Sequence, residues 1–294
     1  MIFFKNANEK MKSELISAMC ECFNEPVETV QFFFENKFNK ENCFVCVKDG
    51  VVAAVLHALP QTLAVSGSFY RSYYVYGACT LPQFRSRGYM SKLLKYTEAV
   101  LKVRGADFTV LVPENKKLEG FYGHLGYRNF FKTKTVFLTK KTMKEISKSK
   151  VLYQKDCNIL KYSVEELRYC AYKDFNGMVY TQKDIDYAFN LYKKFGGEAV
   201  FSKRGYAICV PVTDSVLEIK DFTCTDFNVP ELVSEILLKF PNYKRFIIKT
   251  NPANTYFNRC KSDKFYGMIK PLRKDTKDII KNLKKPAYLG LALD

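Results

Sequence analysis

The sequence predicts an α/β (α+β) protein made of two similarly built domains, each a mixed, mostly antiparallel sheet with flanking helices. Three observations carry this expectation. In the first half, hairpin signals give way to an amphipathic helix, a buried strand, a second helix and a last strand. A similar order returns after a basic segment near residues 140–150. The 294 residues are 47% hydrophobic and 15% aromatic, which is a globular composition with enough chain for one large or two medium domains.

Ile2–Lys5 reads as a short strand, and helical patterns cover 8–23 and 26–37, separated by Glu25-Pro26. Cys43–Lys48 and Val51–Leu59 flank Asp49-Gly50, a hairpin signal, and Thr62–Val65 with Phe69–Thr80 flank Ser66-Gly67-Ser68. Met90, Leu93, Leu94, Thr97 and Leu101 recur at helical spacing over 89–104, and Gly105 ends that helix. Phe108–Val112 is a buried strand, 115–125 a helix and Tyr127–Leu138 a strand. In the second half, Val151–Tyr162 looks extended and helices are expected over 163–174 and 181–195. Strands near 198–203, 205–212 and 216–224 precede a helix over 229–240. Further strands fall at Arg245–Lys249, Phe265–Ile269 and Tyr288–Leu293, with a helix near 275–284. Domains are expected at 1–142 and 151–294.

Composition excludes several classes. No run of about 18 apolar residues predicts a membrane span, and Met1–Asn6 turns polar too early for a signal peptide. The ten cysteines lack metal-ligand pairing: Cys43 and Cys46 form a C-x-x-C in an apolar strand with no second pair. A reducing cytoplasm and no metal are the expectation. The net charge of +17 raises nucleic-acid binding as an alternative, but the basic residues are dispersed. The densest cluster, Lys140 to Lys150, reads as a solvated linker or helix face.

The chemically informative stretch is Thr80-Leu-Pro-Gln-Phe-Arg85-Ser-Arg87-Gly88-Tyr-Met-Ser91, joining a strand to a helix. A helix start presents backbone N–H groups without intrahelical partners and the positive end of the helix dipole. Gly88 lets a ligand approach the backbone, Ser91 adds a hydroxyl, and Arg85 and Arg87 add charge. The set suits a pyrophosphate, or is an ordinary basic start to a core helix. It is neither a Walker loop nor G-x-G-x-x-G.

Arg85-Ser-Arg87-Gly88-Tyr-Met90 resembles the [QR]-x-x-G-x-[GA] signature of the GNAT acetyltransferases, at the turn between their fourth strand and third helix. Met90 stands where that family usually has Gly or Ala. Downstream, Val112-Pro-Glu-Asn115 and Leu118-Glu-Gly-Phe121-Tyr122-Gly-His-Leu-Gly126-Tyr127 resemble a second block of the family, so the likeness covers about residues 1–140. It implies a GNAT acyl-CoA N-acyltransferase fold followed by a second, degenerate GNAT-like domain. It also implies direct transfer of acetyl from acetyl-CoA to a primary amine in a ternary complex.

The same resemblance implies roles for residues. The backbone of Cys79, Thr80 and Leu81 would pair with the pantetheine arm, and Arg85, Ser86, Arg87, Gly88, Tyr89, Met90 and Ser91 would cradle the pyrophosphate. Asn115 would contact the cofactor arm. Tyr122 would protonate the departing thiolate, or else it packs helix against sheet. Tyr70–Thr80 contains no carboxylate to serve as base. Candidate bases are His57, which is otherwise a structural histidine, and Asp294, by distant similarity to enhanced-intracellular-survival (Eis-type) acetyltransferases with a chain-terminal carboxylate. His124 reads as a surface residue. In the second half Thr223-Cys-Thr-Asp226 stands at the corresponding junction, where Asp226 would repel a pyrophosphate and can N-cap the helix. A non-catalytic CoA- or small-ligand-binding sensor and a nucleic-acid-binding protein are the alternatives. The acceptor and the oligomeric state stay open, and no membrane partner is expected.

Overall fold

The computed structural model describes residues 1–149, 166, 176–257, 261–281, 283 and 286–291. These form two compact units that interleave along the chain. The first holds Met1–Leu63, Phe69–Asn129 and Met268–Asn282, and the second holds Ala64–Ser68, Phe130–Gly267 and Leu283–Asp294. Domains were expected at 1–142 and 151–294, from the return of a similar element order after the basic segment; each of these compact units draws on more than one stretch of chain.

In the first unit, β1 (Ile2–Asn6) leads through a 3₁₀ turn to α1 (Lys12–Phe23) and α2 (Val27–Asn36). Asn24 ends α1 at φ 53, the left-handed position that asparagine tolerates. Next comes a meander of β2 (Cys43–Lys48), β3 (Val51–Val65) and β4 (Ser68–Thr80). Two separate strands, Val51–Leu59 and Thr62–Val65, were expected, but β3 runs through both. The β2 register reaches only Cys43↔His57, so Pro60 lies beyond the partner strand, exposed, where its missing N–H costs no ladder bond.

α3 (Tyr89–Val103), β5 (Phe108–Leu111) and α4 (Lys116–His124) complete the crossover. The spacing of Leu93, Leu94, Thr97 and Leu101 places one face of α3 in the core. Each of these leucines contributes about 2 kcal/mol by burial. The last strand of this unit comes from far along the chain: Met268–Pro271, the end of β12 (Lys261–Pro271), pairs antiparallel with β5 from Met268↔Leu111 to Pro271↔Phe108. Lys270 holds it. Its ammonium meets the buried Glu98 carboxylate of α3 at 2.5 Å and lies 5.5 Å from the centre of the Tyr127 ring. Burial raises the Glu98 pKa, and Lys270 opposes that shift.

The second unit has the strand order β6 (Arg128–Thr139), β11 (Arg245–Thr250), β10 (Val216–Cys224), β9 (Gly205–Thr213), β8 (Glu198–Ser202). β7 (Gly177–Val179) joins β3 at the hairpin tip. The basic segment is a helix, α5 (Lys140–Ser147), capped by the Thr139 hydroxyl and anchored by buried Met143. α6 (Gln182–Lys194) starts with a Thr181/Asp184 capping box. α7 (Val229–Lys239) packs Leu232, Val233 and Ile236 into the core, and α8 is short (Lys277–Lys281). Fully buried Asp221 accepts hydrogen bonds from the hydroxyls of Tyr206 and Tyr288, both at 2.6 Å. Of the strand expected over Tyr288–Leu293, the described part shows isolated bridges at Ala287 and Tyr288, and the rest from 292 on lies outside the described residues. The segments expected as extended (151–162) and helical (163–174) lie outside the described residues, Glu166 apart. Among the described residues, no helix is long and apolar enough to cross a membrane.

Lys270 neutralises a carboxylate that the fold has already desolvated, so its removal should be costly. Lys270→Met is expected to destabilise the protein by on the order of 3 kcal/mol. Chemical denaturation should show the deficit shrinking as pH falls and Glu98 takes up a proton, and Glu98→Gln in the same chain should restore most of the loss.

Candidate functional site

The site is built where β4 leaves β5. The two strands pair in parallel over three positions only, Ser72↔Phe108, Tyr73↔Thr109 and Tyr74↔Val110, although β4 continues to Thr80. Three residues past the last pair, Gly77 adopts φ +59 inside the strand. A left-handed residue cannot continue the pleat, so β4 bends there. A Cβ on Gly77 would stand 2.7 Å from Met19 Cε of α1, the far end of a flexible side chain that would have to shift, so the left-handed φ is the main reason for glycine. The sequence reading did not single out Gly77; an isolated glycine within an apolar strand was the available signal.

Beyond β4, Leu81 N–H bonds to the Ala53 carbonyl and a 3₁₀ turn over Pro82–Phe84 reverses the chain. Arg85 Nε donates back to the Thr80 carbonyl at 3.0 Å, fixing the turn to the end of the strand. Ser86 (φ 62) and Gly88 (φ 73) are both left-handed on either side of Arg87, and all three are exposed. Gly88 is the N-cap of α3, and no side chain caps that helix. A Cβ on Gly88 would meet nothing within 4 Å. Its glycine therefore answers to backbone conformation, leaving open room before the first N–H groups of α3. Such a turn suits an anion.

Tyr89 is buried, Ser91 is half-buried, and half-buried Met90 packs on the core cluster that also contains Leu93 and Tyr122. The bulk that sets Met90 apart from the family's Gly or Ala thus contacts the core. Asn115 caps α4, its Oδ1 accepting from Leu118 N–H at 3.0 Å. Tyr122 lies on α4 at 7% exposure, with its ring 5.8 Å from that of Tyr127. Burial, and secondarily Cys79, pushes its hydroxyl up to about 12, so it remains a proton donor at neutral pH.

His57, at 1% exposure, is enclosed by the rings of Phe33, Phe34 and Phe38. Burial lowers its pKa to about 3 and keeps the imidazole neutral, and its Nε2 finds no partner among the described residues. Asp294 lies outside the described residues. His124 is exposed, as expected. Among the described residues no group of His, Cys, Asp and Glu is arranged to hold a metal.

The second unit has no equivalent opening among its described residues. β10 and β11 stay paired from Val216↔Arg245 to Phe222↔Thr250, and the Thr250 hydroxyl closes on the Phe222 carbonyl at 2.7 Å. Asp226, read from the sequence as able to N-cap the next helix, accepts from the Thr255 backbone and hydroxyl.

Residues 4–130 match the family model described as an acetyltransferase (GNAT) domain. The first part of the chain is therefore similar to a GNAT acetyltransferase domain over those residues. Several solved structures share the fold. A GCN5-related N-acetyltransferase from Anabaena variabilis superposes with a TM-score of 0.74 at 15% identity, covering 93% of this chain and 73% of its own. A conserved protein of Enterococcus faecalis V583, named "Probable N-Acyltransferase", gives 0.72 at 16% identity, with coverage of 94% and 74%. Eis1 from Mycobacterium abscessus gives 0.66 at 10% identity, with 92% and 74%. At these identities the likeness is one of fold. No curated protein matches the sequence.

The bend at Gly77 makes a direct prediction. Gly77→Ala should destabilise the protein by about 1–3 kcal/mol through strain and overpacking. Adding Met19→Ala relieves the clash but not the φ penalty, so thermal melts should show only partial recovery.

Proposed function

We propose that the first unit binds acetyl-CoA and transfers its acetyl group to a primary amine. The observation that carries this reading is the pairing of two features in one unit. A parallel strand pair parts after three positions, and beside it stands an uncapped helix start whose glycine leaves open space. The fit to the cofactor is good: the parted β4 offers backbone at Cys79, Thr80 and Leu81 to an amide-bearing arm. The turn from Arg85 through Ser91 offers N–H groups and two guanidinium groups to a pyrophosphate. The Nδ2 of Asn115 is the group offered to the arm, since its Oδ1 caps α4. Acetyl-CoA supplies the activated acyl group as a thioester.

The chain then aligns and protonates. Alignment in the slot brings the thioester within reach of the acceptor amine. Tyr122, kept neutral by burial, donates its proton to the departing thiolate. The base that takes the amine proton is the least defined group. His57 and Asp294 remain the candidates, and the neutral, apolar setting of His57 assigns it better to packing α2 against the sheet. We assign the second unit as a degenerate GNAT-like domain without a cofactor slot, a reading supported by the β10–β11 pairing, which resumes at Phe222↔Thr250 after a register shift past Ile219.

Acetyl-CoA at a hundredfold excess over its dissociation constant should stabilise the protein by about 2.7 kcal/mol. Absence of a thermal shift at millimolar cofactor would overturn the reading. Tyr122→Phe should keep that shift while losing roughly a hundredfold or more in kcat, measured by thiol release across a panel of amines. Thermal stabilisation without thiol release from any amine would favour the sensor alternative. Because Tyr122 is pushed up to about 12, it stays protonated across the assay range. The kcat profile should therefore show no loss attributable to this acid below about pH 11, whereas an ordinary tyrosine near pKa 10 would begin to fail a unit or more lower.

A further inference from the structure

The second unit carries a small cavity that the transfer chemistry does not use. Leu217, Ile219, Phe222 and Cys224 of β10 all belong to one core cluster, so the alternation of that strand is interrupted between Ile219 and Phe222. The registers show the interruption from both sides. On β9, Ile219↔Cys209 is followed by Asp221↔Ile208, and on β11, Ile219↔Ile248 is followed by Phe222↔Thr250. Lys220 and Asp221 therefore stand opposite the single residue Lys249, as in a β-bulge, and both lie off the core face.

Two lysines meet at that bulge. Lys220 Nζ and Lys249 Nζ pair with the two oxygens of one carboxylate, Glu218, at 3.0 and 2.8 Å. Lys249 also lies 6.0 Å from the centre of the Tyr266 ring on β12. Thr133 of β6 comes two residues before Thr135, the register partner of Lys249, and so shares its face. Thr133 is 6% exposed, and its hydroxyl finds no partner among the described residues. These side chains, with Tyr192 of α6 and Tyr288, line a cavity of about 10 Å³. That is room for one water-sized species.

We propose that the second unit binds one small monovalent anion, a halide or a single carboxylate group, where Lys220, Lys249 and Thr133 meet. The donors select this occupant. An ammonium has three N–H donors, so sharing one carboxylate leaves donors on both lysines. Burial works to raise the Glu218 pKa, but Lys249 and Lys220 bring it below its ordinary value, so Glu218 is ionised at neutral pH and offsets one of the two positive charges. Asp221 carries the other negative charge of the bulge, and its oxygens accept from the hydroxyls of Tyr206 and Tyr288, both at 2.6 Å. The described residues lining the cavity include no carboxylate. A water there would satisfy the Thr133 hydroxyl but leave the second ammonium without a counter-charge; an anion answers both.

The site is independent of the acetyl-CoA reading, since every residue in it belongs to the second unit. Its size excludes phosphate esters and larger acids as whole occupants, although one carboxylate of a small acid can enter. The bound anion links β6, β10 and β11 through side chains, so it stabilises the folded unit by mass action.

The full chain is melted at fixed ionic strength while sodium gluconate, too large for the cavity, is replaced stepwise by sodium bromide, chloride or formate. A midpoint rise of roughly 2–4 °C is expected as the site fills. Thr133→Val, which removes a hydroxyl the described fold does not use, and Lys249→Met should each weaken the apparent affinity about tenfold. Lys144→Met, at an exposed lysine of α5, should leave it unchanged. Melts that do not distinguish gluconate from the small anions would overturn the site, as would shifts that persist in both cavity variants. If one variant fails to fold, the other decides. Crystals soaked in bromide should show anomalous scattering between Lys220 and Lys249, and a water there at saturating bromide would refute the proposal. Displacement of that bromide by formate assigns a carboxylate as occupant, and its retention assigns a halide; either upholds the anion site.

Discussion

The first unit depends on one backbone constraint: β4 must remain on β3 while parting from β5. Hydrogen bonds between β4 and β5 stop at Tyr74, and Gly77 takes a conformation that other residues resist. Met19 fills the side where a Cβ would stand, so the bend is packed as well as permitted. Everything chemical in the unit lies downstream of that bend. Cys79 and Thr80 are carried clear of β5, Arg85 locks back onto Thr80, and the turn reaches Gly88 with the first N–H groups of α3 uncapped.

The second unit lacks that constraint, and its corresponding junction is closed. β10 and β11 repeat the strand–helix–strand connection, yet they remain paired almost to the end of β10. Thr250 and Asp226 then use their side chains to seal the junction rather than leave donors open. A closed junction satisfies more of its polar groups locally. The corresponding turn in the first unit leaves the start of α3 without a side-chain cap.

The way the chain is shared between the units has its own physical basis. Met268–Pro271 pairs with β5, and Lys270 meets a carboxylate on α3 whose pKa burial raises and Lys270 lowers. Glu98 is a charged residue on the buried face of an otherwise apolar helical pattern, and it has its partner only because a strand from 172 residues later arrives beside it. Asp221 does the same within the second unit, collecting hydroxyls from Tyr206 and Tyr288. These buried polar pairings select one arrangement of strands among many that would bury similar apolar area.

Much of this was legible in the residues. Helical spacing located α3 within a residue or two, Asp49-Gly50 marked the β2–β3 hairpin, and the Arg85–Ser91 turn stood out as an anion-binding candidate beside a likeness to a known family. These are local features: periodicity, turn chemistry and capping act within one or two turns of chain. The strands expected at Val51–Leu59 and Thr62–Val65 are one, and Pro60 within it lies past the reach of β2, which is a tertiary circumstance. Non-local facts were decided by tertiary structure alone. They include the interleaved units, the β5–β12 pairing and the aromatic enclosure of His57. The sequence by itself determined which segments form helices and strands and where an anion would find donors. Which strands meet, and therefore which buried groups find partners, was decided only in three dimensions, because pairing energies between distant segments leave no periodic trace in either one.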